Sequence, residues 1–157
     1  MKALQSLTEL FTQSVTDAKN VELWAEDGQI ECAQGVSVDG FDIAYTVNIN
    51  MSDVDVQPET LMMHLVLWLN QYDVDRSTKG LPAPSFATEI LDNGRCDIKL
   101  KIDIKESYSV EESEHGVWQQ GGIRFDCVSD FALAAIEEEL PLLEFVGAHD
   151  RDLPECD

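Results

Sequence analysis

The spacing of hydrophobic positions changes along the chain from a helical period to strict alternation. Apolar residues recur three and four positions apart in residues 3–15, which predicts an amphipathic helix that packs one face on a core. In residues 41–51 every odd position is apolar, and in residues 96–105 every even position is apolar. A period of two is typical of long strands with one buried face and one solvated face.

Turn residues indicate how the strands are joined. Two short apolar runs within residues 21–33 flank Asp27 and Gly28, a dipeptide that favours a tight hairpin. Asp, Asn and Gly occupy residues 92–94, which predicts a second hairpin within residues 85–105. We therefore expect mostly antiparallel strand pairs.

A central helix is expected between the two hairpins. Pro58 suits the first turn of a helix, and Glu59 favours its positive end. The apolar run that follows, residues 61–69, is hydrophobic on all sides of such a helix. This predicts that the helix is buried against the sheet on one side and covered by something else on another.

The C-terminal third has a different character. Residues 107–110 and 117–125 are predicted to form the strands of a projecting hairpin, with an acidic tip at residues 111–116. Residues 131–140 have helical spacing, and an irregular acidic tail follows.

These elements predict an α+β fold, because consecutive antiparallel strands are set apart from the helices. The expected architecture is an antiparallel sheet of hairpins packed against an N-terminal amphipathic helix and a central buried helix, with a projecting C-terminal hairpin. Residues 1–130 would form a single α+β domain. Residues 131–157 would form a short helix and an acidic C-terminal tail.

The charge of the chain excludes some classes of partner. Its 157 residues contain 31 Asp and Glu against 10 Lys and Arg, a net charge of −21. A protein that grips nucleic-acid phosphates needs clustered basic residues, and an anionic bilayer would repel this chain. The acid excess is uneven, since residues 106–157 carry 14 acids against two basic residues, a net charge of −12.

Targeting and redox features point to the cytosol. The four cysteines lie too far apart for a zinc ribbon or a thioredoxin-like site, so we expect reduced thiols. Polar residues interrupt the first ten positions, and no signal-peptide core is therefore expected. The most apolar run, residues 61–69, is much shorter than the roughly 20 residues that span a bilayer.

No pattern predicts a catalytic, metal or cofactor site. Asp53 and Asp55 could open a calcium loop, but the sixth position is Pro58 rather than Gly and the twelfth is His64 rather than an acid. The glycine pair at residues 121–122 lacks the Lys and the helix of a phosphate-binding loop. A metal-assisted hydrolase is therefore the weakest hypothesis.

The predicted C-terminal hairpin carries large apolar side chains next to its acidic tip. They are Tyr108, Val110, Val117 and Trp118. One interpretation is that they form an uncovered patch that contacts another protein. The other is that they complete the core of the sheet, and the residue pattern favours neither.

Five segments in order carry a resemblance to a known family. They are residues 21–30, 41–49, 65–70, 96–102 and 106–111, and a short amphipathic helix precedes them. In order and spacing they resemble the tail completion protein R (GpR) family of contractile-tailed temperate phages. The similarity extends over residues 1 to 125.

The resemblance implies a non-enzymatic structural protein of a phage or prophage tail, assembled in the cytoplasm of the bacterial host. It implies a protein that caps the head-proximal end of the tail tube and helps to join the tail to the head. By analogy with tail terminators, copies of the chain would form a ring that contacts other tail or connector proteins. DNA would pass through the ring without being bound, and no cofactor is implied.

A second hypothesis comes from the charge alone. An acidic decoy could mimic DNA and bind a basic nucleic-acid-binding protein. Such a decoy needs carboxylates spaced like phosphates along an exposed face. Here the acids alternate with core positions or cluster in residues 111–116 and in the tail, which favours the first hypothesis.

Overall fold

The computed structural model describes residues 1–15, 17–32 and 39–131. Helix α1 (Lys2–Glu9) continues as a π-helical segment (Leu10–Val15), and a 3-10 turn (Ala18–Asn20) follows. The remaining elements, in chain order, are β1 (Val21–Glu31), β2 (Gly40–Val54), α2 (Pro58–Tyr72), β3 (Ser85–Ile90), β4 (Cys96–Glu112), β5 (Trp118–Gln120) and β6 (Ile123–Ser129).

The strands form one antiparallel sheet around β4. The order of the main path is β1-β2-β4-β6-β5. Strand β2 pairs with β4 along one edge, while β3 and β6 pair with opposite ends of the other edge. The predicted α+β fold with an N-terminal helix and a central helix is confirmed.

Both helices cover the same face of this sheet. Because side chains alternate along a strand, odd positions of β2 up to Met51 and even positions of β4 turn towards the helices. An irregularity after Met51 shifts the register and brings Val54 to the same side. The buried core residues of these two strands are Tyr45, Val47, Ile49, Met51, Val54, Cys96, Ile98, Leu100, Ile102 and Ile104. The indole N–H of Trp68 in α2 donates to the hydroxyl of Ser6 in α1 at 2.9 Å, which joins the two helices directly.

Helix α2 is buried on one side. Leu61, Leu65 and Trp68 face the core, whereas Met63, Val66 and Leu67 are exposed. Within the described part of the chain, nothing buries this second side, so the predicted additional cover is not seen there.

The hairpin predicted at Asp27 and Gly28 is wrong. Strand β1 runs straight through both residues, and they lie together opposite the single residue Tyr45 of β2. This is a β-bulge, and Asp27 takes its positive φ of 55°. Strand β2 is long enough to pair with all of β1, so the turn-forming dipeptide is accommodated as a bulge instead of reversing the chain.

The second predicted hairpin is confirmed, since β3 pairs with the first part of β4. Two details further along differ from the prediction. Residues 107–110 are not a separate strand but the continuation of β4. The predicted strand at residues 117–125 divides into β5 and β6, because Gly121 and Gly122 form a turn with φ angles of 59° and 84°. The C-terminal hairpin therefore consists of β5 and β6, and β6 is the strand that pairs with β4.

The middle of one β4 edge lies between β3 and β6 without a strand partner. Arg76 takes that place, and its Nη1 donates to the backbone carbonyl of Asp103 at 2.7 Å and to the carboxylate of Asp73 at 2.8 Å. Its Nε donates to the carbonyl of Pro82 at 2.9 Å. The side chains of Arg76 and Asp73 are only 11% and 7% exposed. One guanidinium thus ties the loop after α2 to the edge of the sheet.

The predicted division into a domain and a tail stays a prediction. Residues 132–157, where the sequence predicts a short helix and an acidic tail, lie outside the described residues. Phe131, the last residue described, stacks on Tyr72 with ring centres 5.3 Å apart. Among the described helices, none is long and apolar enough to cross a membrane.

Candidate interaction surface

An apolar surface continues along the sheet towards the C-terminal hairpin. Paired residues of antiparallel strands project to the same side, so the register places six side chains on the helix-covered face. We call them the distal patch: Phe41, Tyr108, Val110, Trp118, Phe125 and Cys127. Trp118 is 57% exposed, and the other five are half-buried. An exposed indole among half-buried apolar neighbours suits contact with another protein.

Of the four residues predicted as an interface, three lie in the distal patch and one lies outside it. Tyr108, Val110 and Trp118 belong to the distal patch, whereas Val117 lies in the bend before β5 and is 75% exposed. Tyr108 also serves the fold itself, because its ring stacks on Phe41 with centres 5.1 Å apart and planes inclined by 10°. The role of the four residues in an interface stays a prediction.

Three members of the distal patch were missed from the sequence. The strand register alone brings these three residues, Phe41, Phe125 and Cys127, next to the predicted ones. The alternation of apolar residues in β6 was the signal that could have indicated two of them.

A buried carboxylate lies at the border between the distal patch and the core. Glu106 is 3% exposed and occupies a core-facing position of β4. It accepts hydrogen bonds from the hydroxyls of Tyr45 and Tyr108, the latter at 2.7 Å. It also accepts from the backbone N–H groups of Lys2 at 2.9 Å and Ala3 at 3.2 Å. Glu106 therefore caps the N-terminus of α1, where the helix dipole favours a negative charge.

These contacts decide the ionisation of the cluster. Burial opposes the charge on Glu106, but the hydrogen bonds from Tyr45, Tyr108, Lys2 and Ala3 outweigh it and hold the pKa below its usual value. Burial, together with the hydrogen bond to Glu106, raises the pKa of Tyr45 and of Tyr108. At neutral pH the glutamate is charged and both tyrosines remain hydrogen-bond donors.

The surroundings of two cysteines and of one aspartate set the ionisation of these reactive side chains. Burial raises the pKa of the Cys127 and Cys96 thiols, which makes them poor nucleophiles. The carboxylate of Asp53, considered above for calcium, accepts a hydrogen bond from Arg95 at 2.7 Å, and this bond lowers its pKa. Across residues 1–15, 17–32 and 39–131, no three His, Cys, Asp or Glu side chains come together to hold a metal ion.

The loop that reaches β5 crosses the end of β6 very closely. A Cβ atom on Gly116 would lie 2.4 Å from the carbonyl oxygen of Phe125, which is closer than van der Waals contact allows. The backbone N–H of Ser113 donates to the carbonyl of Arg124 at 3.0 Å and holds the loop in this position. Glycine at residue 116 thus allows the loop to present Val117 and Trp118.

We expect Gly116→Ala to lower the free energy of unfolding by about 1–3 kcal/mol, because the backbone of β6 must move to admit the methyl group. Gly28→Ala is the matched control, since a Cβ atom there meets nothing within 4 Å. Urea unfolding of both variants measures the difference. Equal effects of the two substitutions would contradict the close crossing.

A second apolar surface lies on α2. Met63, Val66 and Leu67 are exposed at helical spacing and form one stripe, which we call the helix face. It lies on a different element from the distal patch. Within the described residues, the distal patch and the helix face are thus separate apolar surfaces.

Comparison with known protein families supplies the context for these surfaces. The family model for P2 phage tail completion protein R (GpR) matches residues 1–126, which include both helices, β1 to β5 and the first part of β6. Comparison with curated proteins and with solved structures found no significant match. The resemblance seen in the sequence is confirmed, and with it a structural role in completing the phage tail. The chain belongs to the P2 phage tail completion protein R (GpR) family.

Proposed function

We propose that this protein caps the head-proximal end of the tail tube and helps to join the tail to the head. The observation that carries the proposal is the exposed Trp118, which projects from an apolar patch at one end of the sheet. A joining protein must contact at least two different partners. The distal patch and the helix face give this chain two separate apolar surfaces for that purpose.

The proposal includes a ring of identical copies. Contacts between two different surfaces of one chain close into a ring when the rotation between neighbours adds up to a full turn. The partners are then other copies of the chain and other tail or connector proteins. Tyr108, Val110, Val117 and Trp118 belong to one of these contacts.

The charge of the chain fits a passage for DNA. A ring of subunits that each carry a net charge of −21 repels phosphates and offers few basic groups to bind them. DNA would therefore slide through such a ring without adhering to it.

The acidic decoy hypothesis receives less support from the surface. Along the solvated face of β4, Asp97 and Asp103 are interspersed with Lys99, Lys101 and Lys105. A continuous row of carboxylates, which would imitate a phosphate backbone, is therefore interrupted on this face.

Complementation of a phage that lacks this gene tests the proposal. Tails made without the protein should have abnormal lengths and should not join heads in electron micrographs. A copy with Trp118→Ser should fail to restore joined particles, because the exposed indole anchors a contact. Phe86→Ser is the control, since Phe86 is 59% exposed on β3, away from the distal patch.

Both purified variants should keep the unfolding midpoint of the wild-type chain, so that a loss of joining cannot come from misfolding. Joined tails of normal length in the absence of the gene would overturn the proposed function. Full rescue by Trp118→Ser would show that the distal patch has no part in the proposed function.

A further inference from the structure

Both helices have one end at the border between the core and the distal patch. The N-terminus of α1 lies there, because the backbone N–H of Lys2 donates to Glu106 at 2.9 Å. The C-terminal residue of α2, Tyr72, stacks on Phe131, which follows the strand that pairs with Tyr108. The exposed indole of Trp118 shows that the described residues leave part of the patch beyond this border uncovered.

Strand β6 leads into a helix at this border. Its last residue, Ser129, pairs with Tyr108 of the distal patch and is buried. Residues 130–131, the last two described, are helical. Serine suits the position before a helix, and the aspartate at residue 130 suits its first turn, where the helix dipole favours a negative charge. The sequence and the structure thus agree that a helix begins directly after β6.

The side chain of Phe131 fixes where this helix begins. Its ring centre lies 5.3 Å from that of Tyr72 and 6.0 Å from that of Trp68. Trp68 is on the buried side of α2, whereas the helix face is on its exposed side. The chain therefore leaves Phe131 on the sheet side of α2, next to the distal patch and away from the helix face.

The sequence that follows continues the helical pattern. Leu133, Ile136 and Leu140 recur three and four positions apart, which is typical of a helix with one apolar stripe. Pro141 comes directly after them and disfavours helical backbone at the preceding residue. Residues 132–140 lie outside both the described residues and the part of the chain that the family model matches.

The length of this segment equals that of the distal patch. At one end of the patch Ser129 lies opposite Tyr108. At the other end Phe125 lies opposite Trp118. The stretch of β6 between these two ends is about 13 Å long. A helix from residue 131 to residue 140 is also about 13 Å long, so a single helix that turns back along β6 spans the whole patch.

We propose that residues 132–140 continue the helix over the distal patch and cover it until a partner docks there. The apolar stripe of Leu133, Ile136 and Leu140 then packs on the patch, and the partner displaces it. The inference rests on the proposed function, because it describes the regulation of the same contact surface. A free copy of the chain thereby hides an apolar area that would otherwise favour unspecific association.

The charge of the segment allows it to be displaced. Residues 137–139 are three consecutive glutamates. Glu112 pairs with Phe125 at the far end of the patch and is exposed. Like charges repel each other at that end and weaken the cover. Trp118 is 57% exposed, so a partner can bind the indole first and then replace the segment.

Alkylation of Cys127 in the purified full-length chain tests the cover. Cys127 belongs to the distal patch and is half-buried, so iodoacetamide reaches its thiol when the segment opens. Ile136→Asp should raise the rate of alkylation about tenfold, because loss of one buried isoleucine shifts the opening equilibrium by about that factor. Mass spectrometry of peptides follows Cys127 separately from the other cysteines.

Ala134→Asp is the matched control. It adds the same charge to the same segment, but at helical spacing residue 134 lies on the side opposite Ile136. It should leave the alkylation of Cys127 unchanged. Cys96 is 3% exposed and should stay unreactive in every variant, which shows that the fold is intact. Equal rates in wild-type and Ile136→Asp chains, or equal acceleration by both substitutions, would overturn the inference.

Two further readouts distinguish other positions of the segment. Hydrogen peroxide should oxidise Met63, which is 59% exposed on the helix face, equally fast in wild-type and Ile136→Asp chains. Faster oxidation of Met63 in Ile136→Asp would place the segment on α2 and contradict the inference. Alkylation of Cys127 should not depend on protein concentration. A rate that rises on dilution would mean that another copy supplies the cover, against the proposal.

Tail joining in the complementation assay is measured separately. Ile136→Asp should still restore joined particles, since the segment leaves the patch before the partner docks. Loss of joining in this variant would make residues 132–140 part of the joining contact and overturn their role as a cover. Joined tails of normal length without the gene would contradict the proposed function and leave the alkylation results unaffected, so the two failures are distinguishable.

Discussion

Replacing Glu106 by Gln should lower the free energy of unfolding by about 3 kcal/mol. The carboxylate accepts four hydrogen bonds in a site that is 3% exposed. An amide has one acceptor oxygen and brings an NH₂ group against the same donors, so donors around it stay unpaired at about 1–3 kcal/mol each. The N-terminus of α1 also loses a negative charge. Urea unfolding at pH 7 measures the effect.

The same residue makes the stability depend on pH in a defined direction. The pKa of Glu106 is lowered in the folded chain, so its contribution is fully present above the unfolded value of about 4.5. As the pH falls further, the unfolded chain binds the proton first, and the contribution is lost as the pH approaches the folded pKa. The difference between wild-type and Glu106→Gln chains should therefore shrink below pH 4.

Glu111→Gln is the control for both measurements, because Glu111 lies on the same strand but is exposed. It should leave the stability within about 0.5 kcal/mol of the wild type. A Glu106→Gln chain with the wild-type midpoint and the wild-type acid sensitivity would contradict the capping role of this carboxylate.

Arg76→Met should cost about 2–4 kcal/mol of unfolding free energy. The substitution leaves the carbonyl of Asp103 without its donor and removes the closest cation from Asp73, which is 7% exposed. Lys79 stays within 3.3 Å of Asp73 and limits the loss. Arg76→Lys should also destabilise the fold, because a single ammonium cannot serve three acceptors in the geometry of a guanidinium.

Hydrogen exchange locates the effect of Arg76. Amides in residues 102–107 of β4 should exchange faster in Arg76→Met, because the loop after α2 no longer holds this edge. Arg124→Met, at an exposed site on β6, should change neither the stability nor the exchange of these amides. Unchanged exchange in Arg76→Met would show that the edge does not depend on the guanidinium.

The long strands were predictable because every position of β2 from Phe41 to Met51, and of the first half of β4, agrees with a period of two. Glu106 interrupts that pattern, and for this reason the sequence indicated an end to the strand. Three of its four hydrogen-bond donors lie in α1 and β2, more than sixty residues away along the chain. Local spacing cannot reveal a carboxylate that is stabilised by such distant donors.

The interaction surfaces were predictable only in part. Tyr108, Val110 and Trp118 are conspicuous by their size, but Phe41 joins them through pairing with β4 alone. On the solvated face, Asn48 lies between Trp24 of β1 and Lys101 of β4, and only the strand register brings these three residues together. Register between distant segments is not encoded in a short window of sequence.

The bulge at Asp27 and Gly28 has a consequence for solubility during assembly. Strand β1 is eleven residues long and forms an outer edge of the sheet, with backbone groups that a strand from another molecule could pair with. The bulge breaks the regular ladder near the middle of this edge and increases its twist. An incoming strand finds only short matching stretches on either side, which disfavours fibre-like growth from β1. In the proposed ring, copies of the chain would therefore associate through side-chain surfaces and would not merge their sheets.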